Sequence, residues 1–322
     1  MAAPAAPRMR PPALRTSCLE PRVSVLGFRI VILAVITLAA CAGPAHDAAR
    51  GSGAFIDVDD FGDTLRVPTT PPVRVVSLNP TTTEIVFAIG AGSRLVGRSH
   101  WDSWPDSARF VPDLGPAVRP NVETVIAARP DLVLLYASAD DRPAAARLRE
   151  AGVPVAALRI DRVADFRRAV RDLGALLGDS ARAAAVVDSV GATLARVAAA
   201  TAPLPKVPVF MIAWENPIIT IGRGSFLDTL LEIAGARNVY RDFAAASPTV
   251  TLEDVVARDP DVVLASPDSR RRLLADPRWR AVRALRAGRV LAFDTTVVGR
   301  PSVVMGMAAV SLARLLHPGS LR

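Results

Sequence analysis

The amino-acid sequence predicts an α/β protein made of two lobes with a long helical stretch between them. Strand and helix patterns alternate from Arg74 onward, residues 162–200 contain helical patterns without a convincing strand, and the alternation resumes at 207. The stretch NVETVIAARPDLVLL (121–135) also recurs as TLEDVVARDPDVVLA (251–265), with Glu123 and Glu253 130 residues apart. A repeat at this distance indicates two related domains, not a solenoid of small units.

The first lobe is predicted to span residues 54–160. It begins with a hairpin over 54–67, around a Phe-Gly-Asp turn. Parallel strands are predicted next at 74–78, 94–97, 132–135 and 153–158. Helices are predicted at 82–92, from the cap Asn121 to the residue before Arg129, and at 141–152.

A helical connector (161–203) and a second lobe (204–322) follow. The connector holds two amphipathic, alanine-rich helices over 163–178 and 180–200. The second lobe is predicted to have strands at 207–214, 262–266 and 289–293 and helices at 225–236, 251–260 and 302–316. Its segment 214–237 is predicted to match 77–92 of the first lobe, each with a strand, Asn-Pro, a helix and a Gly-Ala turn, so that WENP (214–217) corresponds to SLNP (77–80). Two facing lobes create a cleft, where small molecules bind.

Composition limits the classes of partner. The chain has 322 residues, of which 51% are hydrophobic, enough to bury the cores of two domains. About half of the net charge of +8 comes from residues 1–40, and most other arginines stand beside acids in helical patterns. No basic surface interleaved with aromatic residues is visible, so no nucleic-acid partner is expected.

The N-terminus is predicted to be an export signal. A basic segment precedes the apolar run FRIVILAVITLAAC (28–41), which is too short for a comfortable membrane span. LAAC resembles the lipobox of bacterial lipoproteins, which implies a signal peptide over 1–40, a lipid on Cys41 and a tether over 41–53. The alternative is a cleaved secretory signal with a coincidental cysteine. Met9 is an alternative start to Met1.

Cysteine usage agrees with export. Cys18 falls within the predicted signal, and the lipid would block Cys41. The mature body is therefore expected to have no disulfide and no cysteine-based metal site.

Residues 59–105 (DDFGDTLRVPTTPPVRVVSLNPTTTEIVFAIGAGSRLVGRSHWDSWP) resemble the ABC-transporter substrate-binding proteins for vitamin B12, iron siderophores and haem. The two matched corners at 121–135 and 251–265 resemble that family as well, and the similarity covers roughly 54–316. It implies two Rossmann-like α/β lobes joined by one long, rigid backbone helix, with the ligand in the cleft. It also implies a monomer that is held extracytoplasmically at a membrane and delivers a metal chelate to a permease dimer with its ATPase.

The repeated acids have two compatible interpretations. Locally, Asn121 and Thr251 are N-caps, so Glu123 and Glu253 occupy the second helical position, where an acid stabilises the helix dipole by about 0.3–1 kcal/mol. The family resemblance implies that these two glutamates dock onto arginines of the permease dimer, which would set orientation and encounter rate.

Ligand-binding candidates lie in loops and at strand ends. SHWDSWP (99–105) places Trp101 and Trp104 three residues apart, and the resemblance implies an aromatic face for a flat macrocycle there. Tyr136, Trp214 and Arg300 match other cleft positions of the family. For each residue, packing of the lobe surface or solvation is the alternative.

Metal chemistry and catalysis are not expected. His46, His100 and His317 do not form a three-histidine site, and the sequence shows no catalytic triad or phosphate-binding loop. GRGS (222–225) is a weak candidate for anion binding and more simply a turn. We therefore expect no enzyme and no intrinsic cofactor. A corrinoid is the leading ligand, followed by a ferric siderophore and haem; the alternatives are a two-lobed enzyme or a lipoprotein sensor that does not transport.

Overall fold

The computed structural model describes residues 58–65, 69–294 and 299–321. Within these ranges the strands are β1 (Val75–Ser77), β2 (Leu95–Arg98), β3 (Leu132–Tyr136), β4 (Val155–Leu158), β5 (Val207–Glu215), β6 (Ile218–Thr220), β7 (Ala236–Asn238), β8 (Thr249–Val250), β9 (Val262–Ala265) and β10 (Val290–Ala292). The α-helices are α1 (Pro80–Ala88), α2 (Val122–Ala127), α3 (Arg142–Glu150), α4 (Val163–Leu176), α5 (Ser180–Thr201), α6 (Phe226–Ile233), α7 (Leu252–Arg258), α8 (Pro267–Ala275), α9 (Arg283–Arg286) and α10 (Met305–Leu316).

The first sheet has the order β2-β1-β3-β4, and all of its strands are parallel. Strand β3 shows why its sequence is an unbroken apolar run. Leu132 and Leu134 enter one hydrophobic cluster, whereas Val133 and Leu135 enter another on the opposite face. Because helices cover both faces, successive residues of opposite orientation are all apolar.

The second sheet has the order β10-β9-β5-β6-β8, with β7 also paired to β5. Strand β9 pairs with β5 and β10 pairs with β9, both in parallel, as the sequence predicts, while β7 is a further parallel strand on β5 that the sequence does not predict. The prediction of a mainly parallel sheet is incomplete, because β6 and β8 add an antiparallel extension.

Helix α5 connects the parts of the chain that form the two sheets. It packs against α4, α6 and α10, and it buries Val187, Leu194 and Val197. These side chains belong to one continuous hydrophobic cluster that includes residues of both sheets. Among the described helices, α5 alone is long and apolar enough to cross a membrane by length and composition. The predicted α/β architecture with a long connecting helix is confirmed, while the exact domain boundaries stay predictions.

The repeated corner has the same construction in both halves. The Asn121 side chain accepts hydrogen bonds from the backbone N–H groups of Glu123 and Thr124, at 3.0 and 3.3 Å. At the start of α7, Thr251 Oγ1 accepts from the N–H of Asp254 at 3.2 Å. Asparagine and threonine are both effective N-caps, which explains why the two sequences differ at this position.

The predicted hairpin over 54–67 is only partly within the described residues. Residues 58–65 form a turn and contain no assigned strand. Asp59 organises it, since its Oδ1 accepts from the N–H groups of Phe61 and Asp63 and its Oδ2 accepts from that of Ala157. The predicted signal peptide, Cys41 and the tether lie outside the described residues.

Candidate functional site

The carboxyl ends of the four parallel strands of the first sheet lie along one edge, where open α/β sheets bind ligands. Leu78 and Asn79 follow β1, Tyr136 ends β3, and Ile160 and Asp161 follow β4. All five residues line one cavity of about 500 Å³.

The opposite wall of this cavity comes from the second half of the chain. It is formed by the start of α6 with its preceding loop (224–226), by Ala246, and by Gly299, Arg300 and Pro301. We call this space the cleft cavity. Its lining by both halves of the chain confirms the predicted cleft between lobes.

The loop that leads into α6 depends on two glycines. A Cβ at Gly222 would meet the carbonyl oxygen of Ala245 at 2.2 Å, and one at Gly224 would meet that of Ala244 at 2.5 Å. Ser225 then caps α6 by accepting from the N–H of Leu227 at 3.2 Å. The GRGS segment therefore forms a tight turn with a capped helix, which is sufficient to explain its sequence.

Arg300 is held in the cleft cavity by a buried acid of the first lobe. Its Nη2 donates to Oε1 of Glu84 at 2.5 Å, and the Glu84 side chain is fully buried on α1. A second contact lies beside it, where Thr81 Oγ1 donates to the carbonyl oxygen of Pro301 at 3.1 Å. These two contacts join α1 to the segment that precedes α10.

A second buried acid lies close to Glu84. Asp102 accepts hydrogen bonds from Thr83 Oγ1 and from Ser99 Oγ, both at 2.7 Å. Burial raises the pKa of the Glu84 carboxyl, although Arg300 opposes the rise, and burial likewise raises the pKa of Asp102. Neither acid is predicted from the sequence, since neither belongs to a recognisable motif.

Tyr136 presents its phenol to the cleft cavity. The hydroxyl donates to Oδ1 of Asp161 at 2.5 Å. Burial, together with this hydrogen bond, raises the pKa of the phenol, so it stays protonated at neutral pH. Tyr136 and Arg300 are thus two predicted ligand-binding residues that the structure brings into one cavity.

The three predicted tryptophans do not line the cleft cavity. Trp101 is 64% exposed and lies against His100, with 5.5 Å between the ring centroids, while Trp104 is half-buried. Both belong to the connection after β2 that also supplies Ala117 and Val118 to the cavity lining. Trp214, near the end of β5, is 57% exposed. A role for these rings in ligand binding stays a prediction.

Glu123 and Glu253 occupy the second positions of α2 and α7, as predicted. Each helix leads directly into a parallel strand, so its first turn lies toward the carboxyl edge of the sheet to which that strand belongs. The Glu123 side chain is 75% exposed and pairs with Arg147 at 3.1 Å. Glu253 is also exposed, and no ion pair to it occurs among the described residues.

Possible metal ligands are dispersed over the described part of the chain. No group of three or more His, Cys, Asp or Glu side chains that could hold a metal ion occurs there. His100 lies in the loop after β2, with its Nδ1 3.9 Å from a carboxylate oxygen of Asp113. His317 follows α10, and its Nε2 lies 3.1 Å from the carbonyl oxygen of Gly235.

Comparison with known proteins places the chain in a family. The family model described as periplasmic binding protein matches residues 75–296, which include both sheets and every residue of the cleft cavity lining except Gly299, Arg300 and Pro301. The chain belongs to the periplasmic binding protein family. The resemblance predicted from the sequence is thereby confirmed.

Relatives of this periplasmic binding protein cover most of its length. A vitamin B12-binding protein of Vibrio parahaemolyticus is 26% identical over 75% of this chain and 88% of its own. An uncharacterized ABC transporter substrate-binding lipoprotein of Bacillus subtilis is 27% identical over 91% of this chain and 96% of its own. The crystal structure of a periplasmic heme-binding protein from Pseudomonas aeruginosa is 27% identical, with a TM-score of 0.69 over 77% of this chain and 94% of its own.

Proposed function

We propose that this periplasmic binding protein captures a metal chelate in the cleft cavity and delivers it to the permease of an ABC importer. The observation that carries the proposal is a cavity lined jointly by the carboxyl edges of the first sheet and by the start of α6 and residues 299–301. Membership of the family and the relatives named for vitamin B12 and heme support the same class of ligand.

We favour a corrinoid as the ligand of this cavity. The Tyr136 hydroxyl is already engaged in a hydrogen bond to Asp161 Oδ1, which would have to be given up if the oxygen were to bind a metal. This favours a chelate whose metal already has its ligands over haem, whose iron has open axial positions. The apolar lining residues, including Leu78, Ile160 and Phe226, suit the edge of a large ring.

A ferric siderophore is the second candidate, because Arg162 and Arg300 both line the cleft cavity. Arginines are suited to anionic chelates. The carboxylates of Asp161 and Glu84 lie beside these arginines and offset much of their charge, which is why we place the siderophore after the corrinoid.

Docking to the permease is assigned to Glu123 and Glu253. Both acids are exposed, and both lie in the first turn of a capped helix, on corresponding corners of the two lobes. Two carboxylates on related lobes suit a partner with two-fold symmetry. We further propose that the mature chain is a monomer with a lipid on Cys41 and no catalytic activity.

Ligand titration of the purified protein tests this function. Cyanocobalamin, cobinamide, hemin and the anionic catecholate ferric enterobactin are each added while tryptophan fluorescence and the thermal unfolding midpoint are followed. We expect a corrinoid to raise the midpoint, because binding to the native state stabilises it by mass action. A response to ferric enterobactin alone would select the siderophore, and a response to hemin alone would contradict the argument from Tyr136.

A further inference from the structure

Asn79 is a residue of the cleft cavity that no sequence motif assigns to a ligand. It follows β1 and caps α1, with its Oδ1 accepting from the N–H of Thr81 at 3.0 Å. The residue is only 5% exposed, and it lines the cavity. Its side chain is therefore fixed at the bottom of the cleft between a strand end and a helix start.

The NH₂ group of the Asn79 side chain lacks a hydrogen-bond acceptor among the described residues. Asn79 Nδ2 is buried and has no hydrogen-bond partner in the structure. A flip of the amide would not solve this, because it would turn the NH₂ group against the N–H of Thr81 and remove the cap. A buried donor without an acceptor is unfavourable, so the site calls for an acceptor that enters the cavity.

The neighbouring groups narrow the chemistry of that acceptor. The N-terminus of the nine-residue helix α1 favours partial negative charge at this point. Asp161, however, also lines the cavity and presents a carboxylate. A primary amide matches both features, since its carbonyl oxygen accepts from Asn79 while its NH₂ can donate to a carboxylate. A carboxylate group would be repelled by Asp161, and of the two arginines in the cavity Arg300 already pairs with Glu84.

We propose that Asn79 Nδ2 donates a hydrogen bond to the carbonyl oxygen of a primary amide on the edge of the bound ligand, with Asp161 available to accept from the amide NH₂. The inference rests on the proposed function for the identity of the ligand. It deepens that function, because corrinoids carry primary amides around the ring.

Two variants separate the donor from the cap. Asn79→Ser and Asn79→Asp both keep an oxygen that can cap α1, but neither has the NH₂ donor. Asn121→Ser is the matched control, because Asn121 caps α2 in the same way and does not line the cleft cavity. We expect Asn79→Ser to weaken cobinamide binding roughly 3- to 10-fold and Asn121→Ser to leave it unchanged. Equal affinities of the two serine variants would overturn the proposal.

A second ligand tests the choice of amide over carboxylate. Cobyrinic acid has the same ring as cobinamide, with carboxylates in place of the amides. We expect the wild-type protein to bind it more weakly than cobinamide, and Asn79→Ser to reduce that affinity less than the affinity for cobinamide. Tighter binding of the acid, lost in Asn79→Ser, would show that the site takes a carboxylate and would overturn the assignment.

A direct measurement keeps the inference separate from the proposed function. If the wild-type protein binds no corrinoid, the corrinoid function fails, but the subsite can still be tested with acetamide. The side-chain NH₂ signal of Asn79 is identified in a ¹⁵N spectrum by its loss in Asn79→Ser. A saturable shift of this signal as acetamide is added supports the subsite, and a signal that does not move overturns it.

Discussion

The environment of Glu84 depends on residues that are distant from it in the sequence. In the sequence, Thr81, Thr82, Thr83 and Glu84 look like the polar first turn of a helix. All four are buried, and Thr81 and Glu84 contact Pro301 and Arg300, more than 200 positions later in the chain. Glu84 thereby holds Arg300 in the cleft cavity. From the sequence, Arg300 is assigned to the cleft only through the family resemblance.

The Glu84 carboxyl should make stability depend on pH in a defined direction. Because its pKa in the folded protein is raised above the ordinary value of 4.5, the native state binds more protons than the unfolded state as the pH passes above that value. The stability contributed by Glu84 is therefore fully present below about pH 4.5 and is lost as the pH rises through the folded pKa.

Urea unfolding of the wild type and Glu84→Gln at a series of pH values checks this sign. Glutamine cannot titrate, so the free energy of unfolding of the wild type minus that of the variant should fall as the pH rises. Because Asp102 lies close enough to Glu84 for the two acids to interact, the Asp102→Asn variant and the double variant are measured as well, so that the contribution of Glu84 is separated from that of Asp102. A difference that grows with pH would mean that the attraction of Arg300 outweighs burial.

The candidate site is predictable from the sequence only in part. The sequence assigns Tyr136 to the cleft because this residue follows a predicted strand, and it assigns Arg300 to the cleft through the family resemblance. Asn79, Glu84 and Asp102 are missed, since an asparagine before a proline reads as a cap and an isolated acid reads as a surface residue. The environment of Glu84 depends on a contact with Arg300 of the second half of the chain, and that of Asp102 depends on the packing of its loop against α1, neither of which a local sequence pattern contains.

Among the elements, long and periodic segments are predicted well and short ones are missed. Strands β6 and β8 have three and two residues, too few for a period to show. Helix α8 has clear start signals in Ser266 and Pro267, but the run Arg270–Arg272 dilutes its apolar pattern. The predicted match of SLNP with WENP is wrong, because Asn79 and Pro80 start α1 whereas Asn216 and Pro217 form the turn between β5 and β6.

Helix α5 should control the stability of both halves together. Leu194 is buried in the hydrophobic cluster shared by the two sheets, so Leu194→Ala should lower the free energy of unfolding by roughly 2–5 kcal/mol. Ala195→Ser, at an exposed neighbouring position, is the control and should change it by less than about 0.5 kcal/mol.

This experiment also tests cooperativity. Because the cluster is continuous, fluorescence and circular dichroism should report one coincident transition in urea for the wild type and for both variants. Two separate transitions would show that the halves unfold independently and that α5 does not couple them.

The proposed transport role of the whole molecule depends on Glu123 and Glu253 acting together, one on each lobe. Replacing Glu123 and Glu253 by arginine reverses both exposed charges without changing the cleft cavity. We expect uptake of the ligand by cells to be lost while affinity and the thermal unfolding midpoint are retained, because charge complementarity governs docking.

The matched control reverses two other exposed acids, Glu150 at the end of α3 and Asp188 on α5. Uptake should survive this change. If the Glu123→Arg and Glu253→Arg variant also supports normal uptake, the two corners do not dock to a permease, and a lipoprotein sensor becomes the better account.

The central claim is that a metal chelate binds in the cleft cavity between the lobes. The most direct measurement is the anomalous scattering of cobalt in crystals of the protein grown with cobinamide. We predict a single strong cobalt peak at the cleft cavity, between the first-sheet wall that carries Tyr136 and the opposite wall that carries Arg300. A cobalt peak elsewhere on the surface, or crystals without cobalt at saturating cobinamide, would contradict the account.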